Sequence, residues 1–229
     1  MIQSTFPLTA EENKPVDLIA PDLYTGRESK LPPPVQKVHE RDFTVLTQKR
    51  KSSRAYSKTI MTRKQLSYIL YYSYHLFQDQ RSHLPVPTAC NSRPLRVYVC
   101  ILNVLDLEKG IYRYHPQNHS LFLVKRFADA REELKDIFLN QTFILQATCL
   151  IGLGANLEAA GYRYPSEAEK FVLLEAGHVG QQIQLSAESL NLASCPIARY
   201  EQRLIDQFFE SQTSPITYVF SIGNRGNLD

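Results

Sequence analysis

The hydrophobic positions of this chain fall into helical and strand-like periods that alternate along its length. Leu66, Ile69, Leu70, Ser73, Leu76 and Phe77 repeat at helical spacing behind Thr62, a good N-cap, so a helix is predicted from about Thr62 to Phe77. Its Tyr68, Tyr71, Tyr72 and Tyr74 read as packing residues. A shorter helix is predicted ahead of it, from Arg41 to about Gln48. Leu95, Val97, Val99 and Ile101 alternate, which predicts a strand over Leu95 to Val104. Ile111–Tyr114 and Leu121–Val124 flank the turn Pro116-Gln117-Asn118-His119 and predict a hairpin. Phe143 to Leu153 reads as one long apolar strand, followed by a helix from about Ser166 to Leu190. Within that helix Gly177 and Gly180 lie one turn apart, on the face of Leu173, Ala176, Ile183 and Ala187. Each glycine costs a mid-helix position about 1 kcal/mol, so a close packing partner is expected there. Glu201–Glu210 predicts a last amphipathic helix, and Ile216–Ile222 a last strand before Gly223-Asn224-Arg225-Gly226. Strands and helices mix without a regular βαβ repeat, which points to an α+β fold, a sheet packed by helices.

Composition bounds what this framework can carry. The 229 residues suffice for one sizeable core. Residues 1–40 are polar and Pro-bearing, with the stiff Leu31-Pro32-Pro33-Pro34 segment, and read as an extended N-terminal arm. Such an arm lies across a neighbouring subunit or stays a poorly ordered tail, and composition does not choose between the two. Residues 41–229 form the domain. Lys and Arg total 26 against 23 Asp and Glu, a net charge of +3 that is too weak for a dedicated nucleic-acid binder. The longest apolar run, Phe143 to Ala155, is interrupted by Gln146 and Thr148 and falls short of a membrane span. The chain opens without a basic stretch followed by an apolar one, so a cytoplasmic location is expected. Cys90, Cys100, Cys149 and Cys195 show no Cys-x-x-Cys pair and no metal-ligand spacing, and read as reduced thiols.

The densest candidate chemistry is Arg50-Lys51-Ser52-Ser53-Arg54. Two guanidinium forks and two hydroxyls within five residues are an inventory for holding a phosphate monoester. A solvated basic face or a nucleic-acid patch has the same composition. Gly152-Leu153-Gly154-Ala155-Asn156-Leu157 follows a strand but lacks the third glycine of a dinucleotide fingerprint. Phosphate-loop, nucleophile-elbow and zinc-helix motifs are missing.

Taken in order, Arg50-Lys51-Ser52-Ser53-Arg54-Ala55-Tyr56, Leu66-Ser67-Tyr68-Ile69-Leu70, Pro87-Thr88-Ala89, Pro94-Leu95-Arg96-Val97-Tyr98, Gly110-Ile111-Tyr112-Arg113-Tyr114 and Leu174-Glu175-Ala176-Gly177-His178 resemble the nitroreductase superfamily. More narrowly they resemble its SagB-type branch, FMN-dependent azoline dehydrogenases of thiazole- and oxazole-containing peptides. The resemblance runs from about Leu31 to Gly226. It implies an FMN-binding α+β fold and a homodimer with FMN between the protomers. It also implies roles. Arg50, Ser52 and Arg54 would hold the phosphate and ribityl chain, with Arg225 closing the phosphate site. Pro87, Thr88, Ala89, Cys90 and Asn91 would lie along the flavin ring of the other subunit. The loop at Cys195-Pro196-Ile197-Ala198-Arg199-Tyr200 would offer backbone N–H groups, at Ala198 and Arg199, to the ring.

The branch carries a Lys-Tyr pair before the long helix, and this chain reads Arg163-Tyr164 there. An arginine is a poor general base, which leaves Tyr164 to handle the substrate proton. Arg163 would lower the pKa of Tyr164, anchor substrate, or be an ordinary surface residue. The glycine and aromatic of the family's Pro-Ser-Ala-Gly-Ala-x-Tyr-Pro loop are replaced at Cys90 and Arg93, and the Gly-Gly expected near Ala198-Arg199 is absent. The expected function is FMN-dependent oxidation of a peptide thiazoline or oxazoline to the azole, with a cyclase or peptide-recognition partner. The alternatives are NAD(P)H-dependent reduction of nitro, quinone or enone compounds, and a non-catalytic flavin-fold subunit of a peptide-modifying complex.

Overall fold

The computed structural model describes residues 24, 26–34, 42–79, 82–89, 92–162 and 164–226. Its elements in chain order are β1 (Glu28–Lys30), α1 (Phe43–Lys49), α2 (Arg63–Tyr74), β2 (Leu95–Ile101), β3 (Gly110–His115), β4 (Ser120–Arg126), α3 (Arg131–Ile137), β5 (Cys149–Ala155), α4 (Leu157–Gly161), α5 (Ala168–Ser189), β6 (Leu192–Ile197), α6 (Gln202–Phe209) and β7 (Ile216–Asn224). Short 3₁₀ turns at Thr142–Gln146 and Pro165–Glu167 precede β5 and α5. The seven strands form one sheet in the order β1-β4-β3-β2-β5-β7-β6, every pair antiparallel. This is the expected α+β architecture.

Helices cover both faces of the sheet. Leu66, Ile69 and Leu70 of α2 and Val172, Ala176, Val179 and Ile183 of α5 pack with Leu95, Val97, Val99 and Ile101 on one face. Leu134 and Ile137 of α3 and Ile205, Phe208 and Phe209 of α6 pack with Tyr98, Cys100 and Ile111 on the other. Every residue of β2 and β5 is therefore buried, as befits central strands of a sheet covered on both sides.

Several sequence expectations shift at their ends. The helix after Thr62 is closed by a capping box with Gln65 but stops at Tyr74. Leu76 N–H instead bonds the Pro116 carbonyl at 3.1 Å, and Phe77 N–H bonds that of His83 at 2.9 Å. The Phe143–Leu153 strand is two elements: a 3₁₀ turn over Thr142–Gln146, then β5, which runs on to Ala155. The break falls at the polar interruption, where the Thr148 carbonyl accepts from both Leu102 and Asn103 N–H. The Cys195–Tyr200 stretch, expected as a loop, begins inside β6, an edge strand that tolerates Pro196. Residues Glu28–Lys30 of the N-terminal arm pair with β4 of their own chain.

Of the two helix glycines, only Gly180 meets a close partner. A Cβ there would come within 2.5 Å of the Phe220 ring, whereas one at Gly177 would meet nothing within 4 Å.

Candidate functional site

After α1 the chain from Arg50 to Tyr56 crosses the outer edge of the sheet. Ser52 bridges Ser194 of β6, and Ser53 N–H donates to the Ser194 carbonyl at 2.9 Å. Tyr56 bridges Arg225 at the end of β7, and Gly226 N–H donates to the Ala55 carbonyl at 3.0 Å. The Tyr56 hydroxyl lies 2.7 Å from Ser221 Oγ, and burial pushes its pKa up. The approach needs a bare backbone at Gly223, where a Cβ would sit 2.8 Å from the Tyr56 ring.

This crossing brings two of the predicted phosphate ligands, Arg50 and Arg225, to one helix. Arg50, half-buried at the C-cap of α1, donates from Nη1 to Gln184 Oε1 of α5 at 3.0 Å. Arg225 forms an ion pair through Nη2 with Glu188, one turn further along α5 and 5% exposed. Arg54 places its guanidinium 5.6 Å above the Phe143 ring. Its charge also tempers the rise that burial imposes on the Cys195 thiol pKa, which puts it beside the strand residue after Ser194. Two guanidinium groups, of Arg50 and Arg225, thus meet the C-terminal half of α5, and Ser52 lies on the neighbouring β6, whereas Arg54, over Phe143, lies with the residues that cover the opposite face of the sheet. The buried Nε of Arg225 has no hydrogen-bond acceptor among the described residues. A donor-rich set with an unfilled donor fits the dianionic phosphate of FMN, whose oxygens are acceptors only.

The other predicted residues lie further off. Ala198 and Arg199 are exposed just past β6, about 13 Å along the strand direction from Ser194. The Arg199 carbonyl accepts from Gln141 Nε2 at 2.8 Å. Of Pro87, Thr88 and Ala89, Thr88 reaches the N-terminal half of α5. There the Thr88 side chain bonds Glu175, and Thr88 Oγ1 accepts from Arg93 N–H at 3.2 Å. Glu175 is 2% exposed and accepts from the Tyr74 hydroxyl at 3.1 Å. Burial raises its pKa to about 7, against the opposing hydrogen bonds of Thr88 and Tyr74 and the charge of Arg93.

Tyr164 precedes α5, exposed, with its ring edge-on to Phe171 at 5.8 Å. From Ala168 to Gln184 the helix rises about 24 Å. Within one protomer, then, the phosphate ligands and Tyr164 occupy opposite ends of α5. Along the helix between them Leu173 and Leu174 are 51% and 56% exposed, next to the open Gly177 and the exposed His178. Cys90, Asn91 and Arg163 lie outside the described residues.

Sequence reading missed Gln184, Glu188 and Glu175 as parts of the site. A signal existed: all three are long polar residues at buried positions of a helix whose other buried residues are apolar or small. A groove of about 680 Å³ between Tyr56, Lys58, Lys109, Arg131 and Gln146 contains none of the predicted site residues. Among the described residues no group of three His, Cys, Asp or Glu could hold a metal ion, and no helix is long and apolar enough to cross a membrane. Cys100, Cys149 and Cys195 are free thiols.

Comparison with known proteins adds to this geometry. Residues 47–224 match the model of the nitroreductase family. A protein of Methanocaldococcus jannaschii named as a nitroreductase is 29% identical over 184 residues, covering 80% of this chain and 90% of its own. Among solved structures, a nitroreductase of Anabaena variabilis superposes with a TM-score of 0.76 at 23% identity over 88% of this chain; the chain spans 42% of that protein. The Escherichia coli microcin synthetase McbBCD complex with truncated pro-MccB17 bound contains a chain that superposes at 0.68, with 16% identity, over 99% of this chain and 85% of that one. A nitroreductase of Desulfovibrio desulfuricans in complex with FMN superposes at 0.55, with 16% identity, over 82% of this chain and 88% of its own.

Proposed function

Since the chain belongs to the nitroreductase family, we propose that it is an FMN-dependent oxidoreductase that oxidises thiazoline or oxazoline rings in a ribosomal peptide to the aromatic azoles. The observation that carries the cofactor assignment is the meeting of Arg50 and Arg225, from distant segments, on one end of α5, with Ser52 bridging the neighbouring β6. In this reading Arg50 and Arg225 bind the phosphate, and Ser52 and Arg54 bind the ribityl chain and its surroundings. Ala198 and Arg199 offer backbone donors at the ring, the placement that stabilises charge developing in a reaction. FMN, when bound, supplies the hydride acceptor. Tyr164 takes up the proton lost from the azoline ring, and Arg163 favours its phenolate by charge. The likeness to a chain of the microcin synthetase complex supports a peptide substrate and a cyclase or peptide-recognition partner.

A homodimer belongs to the same reading. Tyr164 and the two arginines lie towards opposite ends of α5, and in this reading the second end of the site comes from another copy. The exposed Leu173, Leu174 and Gly177 stripe of α5 is a face suited to it, since glycine lets two helices approach closely.

The test begins with the visible spectrum of the purified protein and mass analysis of what it releases on denaturation. A band near ~450 nm with released FMN is expected, and Arg50→Ala/Arg54→Ala should lose it. The holoprotein should then convert an azoline peptide to the azole. Rapid NAD(P)H consumption with nitro, quinone or enone acceptors, without azole formation, would replace this reading by the reductase one. A protein that cannot be loaded with FMN would be a non-catalytic subunit.

A further inference from the structure

The two arginines assigned to the phosphate do not stand alone. Arg50 and Arg225 are separated by most of the chain, yet each meets a polar side chain of α5, and those two side chains are one helical turn apart. We infer that Gln184 and Glu188 form a two-point template that fixes the spacing and orientation of the Arg50 and Arg225 guanidinium groups for a phosphate monoester. The inference rests on the FMN reading and adds two positioning residues to it.

Residues at i and i+4 on a helix project from the same face, so the helix backbone itself sets the separation of the two anchors. Gln184 and Glu188 are 8% and 5% exposed, and buried polar side chains at such positions are costly unless they are bonded. Each is bonded to one of the arginines. The Gln184 amide oxygen takes one Nη1 proton of Arg50. The Glu188 carboxylate takes the Nη2 side of Arg225 and leaves its Nε without an acceptor. A guanidinium has five N–H donors in a rigid fork, so anchoring one edge aims the others. Without the anchor, a long side chain rich in rotamers would have to be ordered by the ligand.

Glu188 also supplies the counter-charge that lets Arg225 remain half-buried before any ligand arrives. Its negative charge opposes a phosphate, so positioning and repulsion act in opposite directions. The amide of Glu188→Gln separates them, because it keeps the acceptor oxygen and removes the charge.

The experiment titrates apoprotein with FMN and with riboflavin, which lacks only the phosphate, following flavin fluorescence. Gln184→Ala and Glu188→Ala should each weaken FMN by about 10-fold, the worth of one hydrogen bond to a charged group, and leave riboflavin unchanged. Glu188→Gln should bind FMN at least as tightly as wild type, and a loss equal to that of Glu188→Ala would overturn the template. Equal losses for both flavins would overturn the template by showing a general structural role, and unchanged or tighter FMN binding in Glu188→Ala would overturn it by making Glu188 a competitor. Gln184→Ala involves no charge and places a strong helix former in a helix, so it keeps the test open if Glu188→Ala does not fold. Wild-type protein that binds neither flavin overturns the FMN reading itself. Wild-type protein that binds FMN alongside indifferent variants overturns the template alone.

Discussion

Replacing Glu175 by Gln should make the protein more stable at neutral and alkaline pH, and leave it unchanged in mild acid. The carboxyl is buried between α5, Tyr74 of α2 and the Thr88 loop, and burial carries its pKa from 4.5 to about 7. Folded protein therefore holds a proton on this group that unfolded protein has released. Stability from that proton is fully present below pH 4.5, falls as pH rises, and is gone above about pH 7. At 1.36 kcal/mol per pH unit the shift is worth about 3 kcal/mol, an order-of-magnitude figure. Gln is nearly isosteric, accepts from the Tyr74 hydroxyl through its Oε1, and does not titrate. Urea unfolding of both proteins from pH 4.5 to 8.5 gives the difference directly. His119 acts in an overlapping window with the opposite sign. Burial holds its pKa down to about 4, and its ring nitrogens lie 2.8 Å from the Tyr114 hydroxyl and 2.7 Å from Ser67 Oγ. Unfolded protein takes up that proton first, so stability falls as pH drops below 6.5. For this reason the variant-minus-wild-type difference, not either profile, isolates Glu175. It should grow from near zero at pH 4.5 to about 3 kcal/mol above pH 7. Parallel profiles across that range would refute the reasoning.

Other changes probe the helix and the proposed chemistry. Gly180→Ala should destabilise by about 1–3 kcal/mol in thermal or urea unfolding, because its Cβ would overlap the fully buried Phe220 ring. Gly177→Ala, where a Cβ meets nothing within 4 Å, should raise the stability of the isolated protomer by about 1 kcal/mol. Gly177→Glu should leave the fold intact by circular dichroism but shift sedimentation towards monomer; a purely monomeric wild type would remove the homodimer from the proposal. Tyr164→Phe should retain bound FMN and lose azole formation, and full azole formation would remove Tyr164 as the group that takes the proton.

The parts of the fold that were legible share one trait: local periodicity and tertiary packing agree there. The alternation in β2 and the stripe in α2 each describe a face that is in fact buried. β6 escaped because Ala193-Ser194-Cys195-Pro196 has no β-branched residue and a proline; its place is set by pairing with β7. Leu76 and Phe77 prolong the α2 stripe in sequence, but their N–H groups find carbonyls at Pro116 and His83, contacts that no local window contains. Phe143–Leu153 merged two elements because a short apolar run reads alike as strand or buried helical turn.

The same division runs through the site. Arg50, Ser52 and Arg54 stand out because they are close in sequence, whereas the residues that hold Arg50 and Arg225 are remote from them: Gln184 lies 134 positions from Arg50, and Glu188 lies 37 from Arg225. A contiguous motif can announce which ligand chemistry is present, but the distance between two guanidinium groups is a property of the helix they lean on. That helix also sets a limit. Its 22 residues meet Arg50 and Arg225, the proposed phosphate ligands, at one end, with Tyr164 just before the other. The proposed homodimer would bring the second end of the site to each flavin from the partner copy. On the proposed reading the exposed Leu173–Gly177 face is covered by a second copy, so a wild-type protein that binds FMN and forms azoles while sedimenting as a monomer would refute the dimer and leave the flavin assignment standing.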